Sequence, residues 1–135
     1  DFTKCPNGAP GVETRMPIVF SEGVSKGRLS LNEFAAVTST NPAKIFGMYP
    51  KKGVLAPGSD ADIVLMNPDM EVTITKNILH ENVDYTPYEG IQVKGWPVMT
   101  MVRGQAVVEN ERLQVPLGFG RYINRKPVKY TELLK

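Results

Sequence analysis

The stretch Val98-Met99-Thr100-Met101-Val102-Arg103-Gly104-Gln105-Ala106-Val107-Val108-Glu109 decides the fold. Two apolar runs flank one arginine and one glycine, and the glycine supplies the positive φ that a tight hairpin needs. Facing strands are expected at Val98 to Val102 and Gln105 to Glu109. The same pattern reaches back to Lys52, where short runs of Val, Ile and Met alternate with Pro, Gly, Asn and Asp clusters. It predicts further strands at Gly53 to Ala56, Asp62 to Met66, Glu71 to Ile74 and Gln92 to Lys94. Beyond Leu117 no periodicity survives, and an extended tail is expected that orders only by docking on something.

Upstream of Lys52 the spacing is helical. Val12, Met16, Val19, Phe20 and Val24 recur at helical intervals, which predicts a helix from Thr14, as N-cap, to about Val24. Ser30 followed by Glu33 is a capping box ahead of Phe34, Ala35 and Val37, and predicts a second helix. Asn41 before Pro42, with Gly47 beyond Phe46, predicts a third. Helices first and strands afterward define an α+β chain or the seam between two larger units.

With 135 residues, 41% hydrophobic and 22% charged, one domain with a real core is expected. The +2 net charge, from 16 basic against 14 acidic residues, forms no basic stripe and points away from nucleic acid and anionic membrane surfaces. No run approaches the ~20 apolar residues of a bilayer span. One cysteine, Cys5, cannot form an internal disulfide, so a reducing cytoplasmic setting is expected. The chain opens at Asp1 rather than methionine, which reads as a cut.

Few residues suggest chemistry. His80 is the sole histidine, with Glu81 and Asp84 nearby, and lacks metal-ligand company; it reads as a loop or surface residue. A Cys5–His80 nucleophile pair is not expected. Asp60 and Asp62 would share a face, but the preceding Pro57 and Gly58 assign them to turn chemistry, accepting backbone N–H groups. Glu13 and Arg15 read as a local surface pair. Tyr85, Tyr88 and Trp96 read as packing. The loop Lys4 to Gly11 reads, from spacing alone, as a connector before a helix.

The segments DFTKCPNGAPGVETRMP (1–17), VTSTNPAKIFGMYPKKGVLAPGSDADIVL (37–65), YTPYEGIQVKGWPVMTMVRGQAVVE (85–109) and GRYINRKP (120–127) resemble the C-terminal portion of the dihydropyrimidinase and D-hydantoinase enzymes. The GSDADIV element recurs across many amidohydrolases, whereas the ordered set is specific to this subgroup. The resemblance implies that residues 1–50 are the end of a (β/α)8 barrel, with a substrate loop and the helices of Thr14 to Gly47. Residues 51–115 would be part of a small β-sandwich, and 116–135 an extended C-terminal tail. It implies hydrolysis of the ring amide of hydantoins or dihydropyrimidines by two metal ions, usually zinc, bridged by a carbamylated lysine. Those ligands would lie upstream, so the chain alone is expected to bind no metal and to be inactive.

The resemblance further implies that Asn7, in the KCPNG loop, matches the asparagine whose backbone hydrogen-bonds the cyclic amide. Cys5 stands where an aliphatic residue is usual. Partners implied are the cyclic amide, the rest of the barrel and further copies in a homotetramer, toward which Arg121 to Pro127 would reach. The related scaffold proteins, which lack the metal ligands and typically carry glutamate at the Asn7 position, are the alternative of the same ancestry. An independent β-rich binding module is the third reading, separable by whether the chain unfolds cooperatively as a monomer.

Overall fold

Two helical rods precede a single antiparallel sheet in the computed structural model, which describes residues 1, 3 and 8–128. Helix α1 (Arg15–Val19) widens without a break into π-helical turns over Phe20–Ser25. Thr14 is not its side-chain cap. Thr14 is itself helical (φ −83°, ψ −17°), because the first turn already starts at Gly11, whose carbonyl accepts the Arg15 N–H at 3.2 Å.

The expected capping box is present: Ser30 Oγ accepts the Glu33 N–H at 3.2 Å, and Glu33 Oε2 accepts the Ser30 N–H at 2.8 Å. It opens a second rod made of α2 (Leu31–Ala35), π-helical turns over Ala36–Thr40, and α3 (Asn41–Ile45). The expected third helix is therefore no separate element. Thr40 and Asn41 keep helical angles, so Asn41 is not an N-cap. The wide turn ahead of Pro42, in which the Asn41 N–H reaches back to the Ala36 carbonyl, accommodates a residue with no N–H of its own.

The sheet runs β1 (Ile63–Thr73), β2 (Gln92–Val102), β3 (Gln105–Glu109) and β4 (Arg112–Leu113), each beside the next and antiparallel. The β2–β3 hairpin turns at Arg103 and Gly104 as expected, with φ of 52° and 78°. Four expected strands merge into two. Asp62 to Met66 and Glu71 to Ile74 join as β1, with the register shifting between Leu65 and Met66 and again between Asn67 and Glu71, across Pro68; Gln92 to Lys94 and Val98 to Val102 join as β2 through Gly95 and Pro97. Strand β4 was not anticipated, since its turn residues Asn110 and Glu111 take positive φ without a glycine. Gly53 to Ala56 forms no strand. Gly53 (φ +84°) lies under α3, where a Cβ would come within 2.5 Å of Ala43 Cβ, and Thr40 Oγ1 donates to its carbonyl at 2.7 Å, so this segment is tied to a helix instead of a ladder.

Helices and sheet meet at Gly95. A Cβ there would lie 2.1 Å from Phe20 Cδ1, and φ is +101°, so only glycine lets the Phe20 ring seat on β2. Phe20 also meets Phe34 edge-on at 5.3 Å, joining the two rods. Below lies the core of Ile74, Val93 and Trp96, with Ile18, Met70, Val72, Leu79 and Tyr88 packed around it. The π-helical turns bond to β2 as well: Ser21 Oγ accepts the Lys94 N–H and Ser25 Oγ donates to its carbonyl, both at 3.1 Å.

Residues 114–128 carry no regular element, as expected of a tail. They dock on the chain itself. The Arg103 guanidinium stacks 4.4 Å from the Phe119 ring centroid and donates to the Phe119 carbonyl at 2.8 Å, and the Lys126 N–H donates to Gly47 at 3.0 Å.

Candidate functional site: a polar seam beside the N-terminal loop

After β1, the short helical turn at Lys76–Ile78 carries the chain into a Pro- and Gly-containing segment that lies along residues 8–13. Four links form the seam, three of them at one end. Glu81 Oε1 accepts the Glu13 N–H at 3.2 Å, Glu13 accepts from the His80 backbone N–H at 2.7 Å, and Glu13 Oε1 lies 2.8 Å from His80 Nδ1. At the far end the Tyr85 hydroxyl donates to the Gly8 carbonyl at 3.1 Å. Between them, the Tyr88 ring lies where a Cβ on Gly11 would touch it at 3.5 Å.

His80 Nε2 also lies 2.9 Å from the Glu111 carbonyl. A carboxylate and a carbonyl only accept, so both contacts are satisfied together when both ring nitrogens carry hydrogen. The hydrogen bond to Glu13, then that to the Glu111 carbonyl, accordingly hold the imidazole above its ordinary 6.5. His80 thus sits on a loop, as expected, but as a bridge joining the first helical turn to the β3–β4 turn. Glu13 pairs with it and not with Arg15, which is the correction to the expected local pair.

Asp60 and Asp62 do converge, and on a cation of the chain itself. Lys52 Nζ is 2.9 Å from Asp60 and bonds Asp62, while Asp62 Oδ1 accepts the Arg103 N–H at 2.9 Å. Burial alone would lower the Lys52 pKa, but the bonds to Asp62 and Asp60 outweigh it and raise it; Lys51 and then Lys52 lower that of Asp60. The expected acceptance of a backbone N–H holds for Asp62; the Asp60 carboxylate instead accepts from the ammonium groups of Lys51 and Lys52, which corrects the turn reading for that residue. The two carboxylates border an open groove of about 620 Å³ between the second rod and β1, whose walls include Phe34, Pro42, Met48, Val54 and Met66.

Asn7 and Cys5, the residues singled out in the N-terminal loop, lie outside the described residues. Tyr88 and Trp96 pack as expected. Tyr85 does not: it is 38% exposed, and its hydroxyl is engaged across the seam. Neither the His80 bridge nor the Tyr85 contact was legible, since their partners stand 67 and 77 residues away. Among the described residues no group of three or more His, Cys, Asp or Glu side chains could hold a metal ion.

The amidohydrolase family model matches residues 7–107. The chain is 47% identical over 134 residues to D-hydantoinase of Geobacillus stearothermophilus, covering 99% of the chain, and 46% identical over 127 residues to D-phenylhydantoinase of Escherichia coli O1:K1. The crystal structure of dihydropyrimidinase from Brevibacillus agri NCHU1002 superposes with a TM-score of 0.91 at 52% identity, over 96% of the chain. In each case the chain spans 28% of the relative's own length. A family match over most of the chain, together with relatives about half identical across nearly all of it, places this protein in the amidohydrolase family, beside the D-hydantoinases and dihydropyrimidinases.

Proposed function

We propose that this chain is the C-terminal part of a metal-dependent cyclic amidohydrolase that opens the ring amide of hydantoins or dihydropyrimidines. The observation that carries the reading is identity of 47% to a D-hydantoinase and 52% to a dihydropyrimidinase, spread over nearly the whole chain. In this reading the two helical rods close a (β/α)8 barrel and the sheet forms part of a small β-sandwich. The loop around Asn7 then follows the last barrel strand, at the face where barrel enzymes carry their active sites.

The contribution of these residues is main chain. A cyclic amide offers an N–H donor and a carbonyl acceptor, and the backbone at Asn7 offers the complementary pair, so the loop's shape matters more than the asparagine side chain. Family members are generally metal-dependent. The described residues do not fit a metal: their one histidine has both ring nitrogens engaged, and the carboxylates near Lys52 are spent on it. The zinc ions of this proposal are held upstream, and the complete enzyme is a cytoplasmic homotetramer.

The test is intact mass, zinc content, and hydrolysis of dihydrouracil and hydantoin by the protein purified from its source. A larger, zinc-bearing species that yields ring-opened products is expected. A metal-free species inert toward both rings overturns the reading and leaves a scaffold of the same ancestry.

A further inference from the structure

We infer that residues 119–126 form a strap buckled at both ends, and that the β2–β3 turn carries arginine at position 103 because its guanidinium is the first buckle. Arg103 holds a φ of 52°, in the left-handed region that most side chains occupy at a cost and that asparagine, aspartate or glycine occupies more easily. The turn by itself gives no reason for arginine there. Its side chain gives one.

The guanidinium lies 4.4 Å from the Phe119 ring centroid, and Nη2 donates to the Phe119 carbonyl at 2.8 Å. One planar group thus grips the ring and the main chain of the same residue. The base of this buckle is fixed in turn: Asp62 accepts the Arg103 N–H at 2.9 Å, and the Gly104 N–H donates to the Ala61 carbonyl at 2.8 Å. The second buckle is main chain on main chain. Just beyond α3, the Gly47 carbonyl accepts the Lys126 N–H at 3.0 Å, and a Cβ on Gly47 would stand 2.0 Å from the Lys126 carbonyl oxygen, so only glycine admits the strap. The chain from Gly47 to Asp62, the bond from Asp62 to Arg103 and the strap make a closed ring that ties the hairpin tip to the end of the second rod. Opening either buckle breaks the ring and leaves Arg121 and Arg125, both exposed, on a slack segment.

Limited trypsin digestion of the full-length protein provides the test, through the rates of cleavage after Arg121 and Arg125 read from fragment masses. Arg103→Asn suits the left-handed turn better than arginine does, while deleting the buckle. It is expected to leave Tm unchanged or raised and to speed cleavage about tenfold. An arginine that served only the turn would not produce that pairing. Gly47→Ala is expected to speed cleavage by a similar factor. Gly27→Ala, at nearly the same φ (+69°) but where an added Cβ would meet nothing within 4 Å, is expected to leave it within about twofold.

Unchanged cleavage in Arg103→Asn overturns the role of Arg103, and equal cleavage in Gly47→Ala and Gly27→Ala overturns the second buckle. A lowered Tm in Arg103→Asn, with cleavage spread along the chain, means general loss of packing and overturns the proposal. A changed oligomeric size in that variant means that a second copy's segment fills the buckle, and overturns closure on the same chain. Should Gly47→Ala fail to fold, Arg103→Lys still decides the first buckle: it keeps the charge without the planar grip, and is expected to be cleaved at a rate between those of the natural protein and Arg103→Asn.

Discussion

Among the described residues, the helical part and the sheet part meet at two joints that differ in kind. At Gly95 the contact is buried and built on a phenylalanine ring seated on bare strand backbone, with the Ser21 and Ser25 hydroxyls bonding Lys94 beside it. At Glu13, His80 and Tyr85 it is polar and exposed, made of hydrogen bonds between side chains and loop backbone. Apolar area removed from water scales into stability, whereas exposed polar pairs contribute little net energy but fix geometry. The first joint therefore carries stability, and the second carries position. Disturbing the first should unfold the helix–sheet pair; disturbing the second should move a loop and leave the fold standing.

Gly95→Val puts this contrast to its hardest test. A side chain at φ +101° and 2.1 Å from the Phe20 ring cannot be accommodated, and a loss of about 3 kcal/mol or more is expected in urea unfolding of the full-length protein. A loss below about 1 kcal/mol would show that Phe20 can leave β2 freely. Phe20→Ala comes next, at about 3 kcal/mol, because it empties the ring's site between β2 and Phe34. Ser30→Ala should cost about 1 kcal/mol by removing the capping box, with no effect on substrate kinetics.

The polar joint predicts a smaller effect with a distinctive pH dependence. The His80 pKa is raised on folding by Glu13 and the Glu111 carbonyl, so the charged imidazole adds stability that is fully present below its ordinary 6.5. That contribution is lost as pH rises through the raised value. The stability difference between the natural protein and His80→Gln should accordingly be largest in mild acid and shrink in alkali. A difference that grows with pH, in paired urea midpoints, would contradict the bridge.

The same division explains what could be read from the chain alone. The capping box at Ser30 and Glu33 and the turn at Arg103 and Gly104 are local, their partners three residues or one turn away, so the order of residues is enough. Gly95, Pro97 and Pro68 misled because each looks like an end of strand. Gly95 is instead the seat of a ring from another element, and the register shift across Pro68 lets one strand pass it. Pro42 misled in the same way, since the wide turn ahead of it lets one rod continue. The polar joint was illegible for a stronger reason: nothing near Tyr85 or His80 in sequence signals Gly8 or Glu13. Only the resemblance of the N-terminal loop pointed to Asn7, and residue order carried no trace of the contacts made at Gly8 and Glu13.

The central claim is that these residues bring shaped backbone to a cyclic amide. It is tested most directly by a crystal structure of the full-length, metal-loaded protein with an unreactive cyclic amide bound. The expected result is the ring amide within hydrogen-bonding distance of the Asn7 main chain. A bound ring that makes no contact with the backbone at Asn7 would contradict the account.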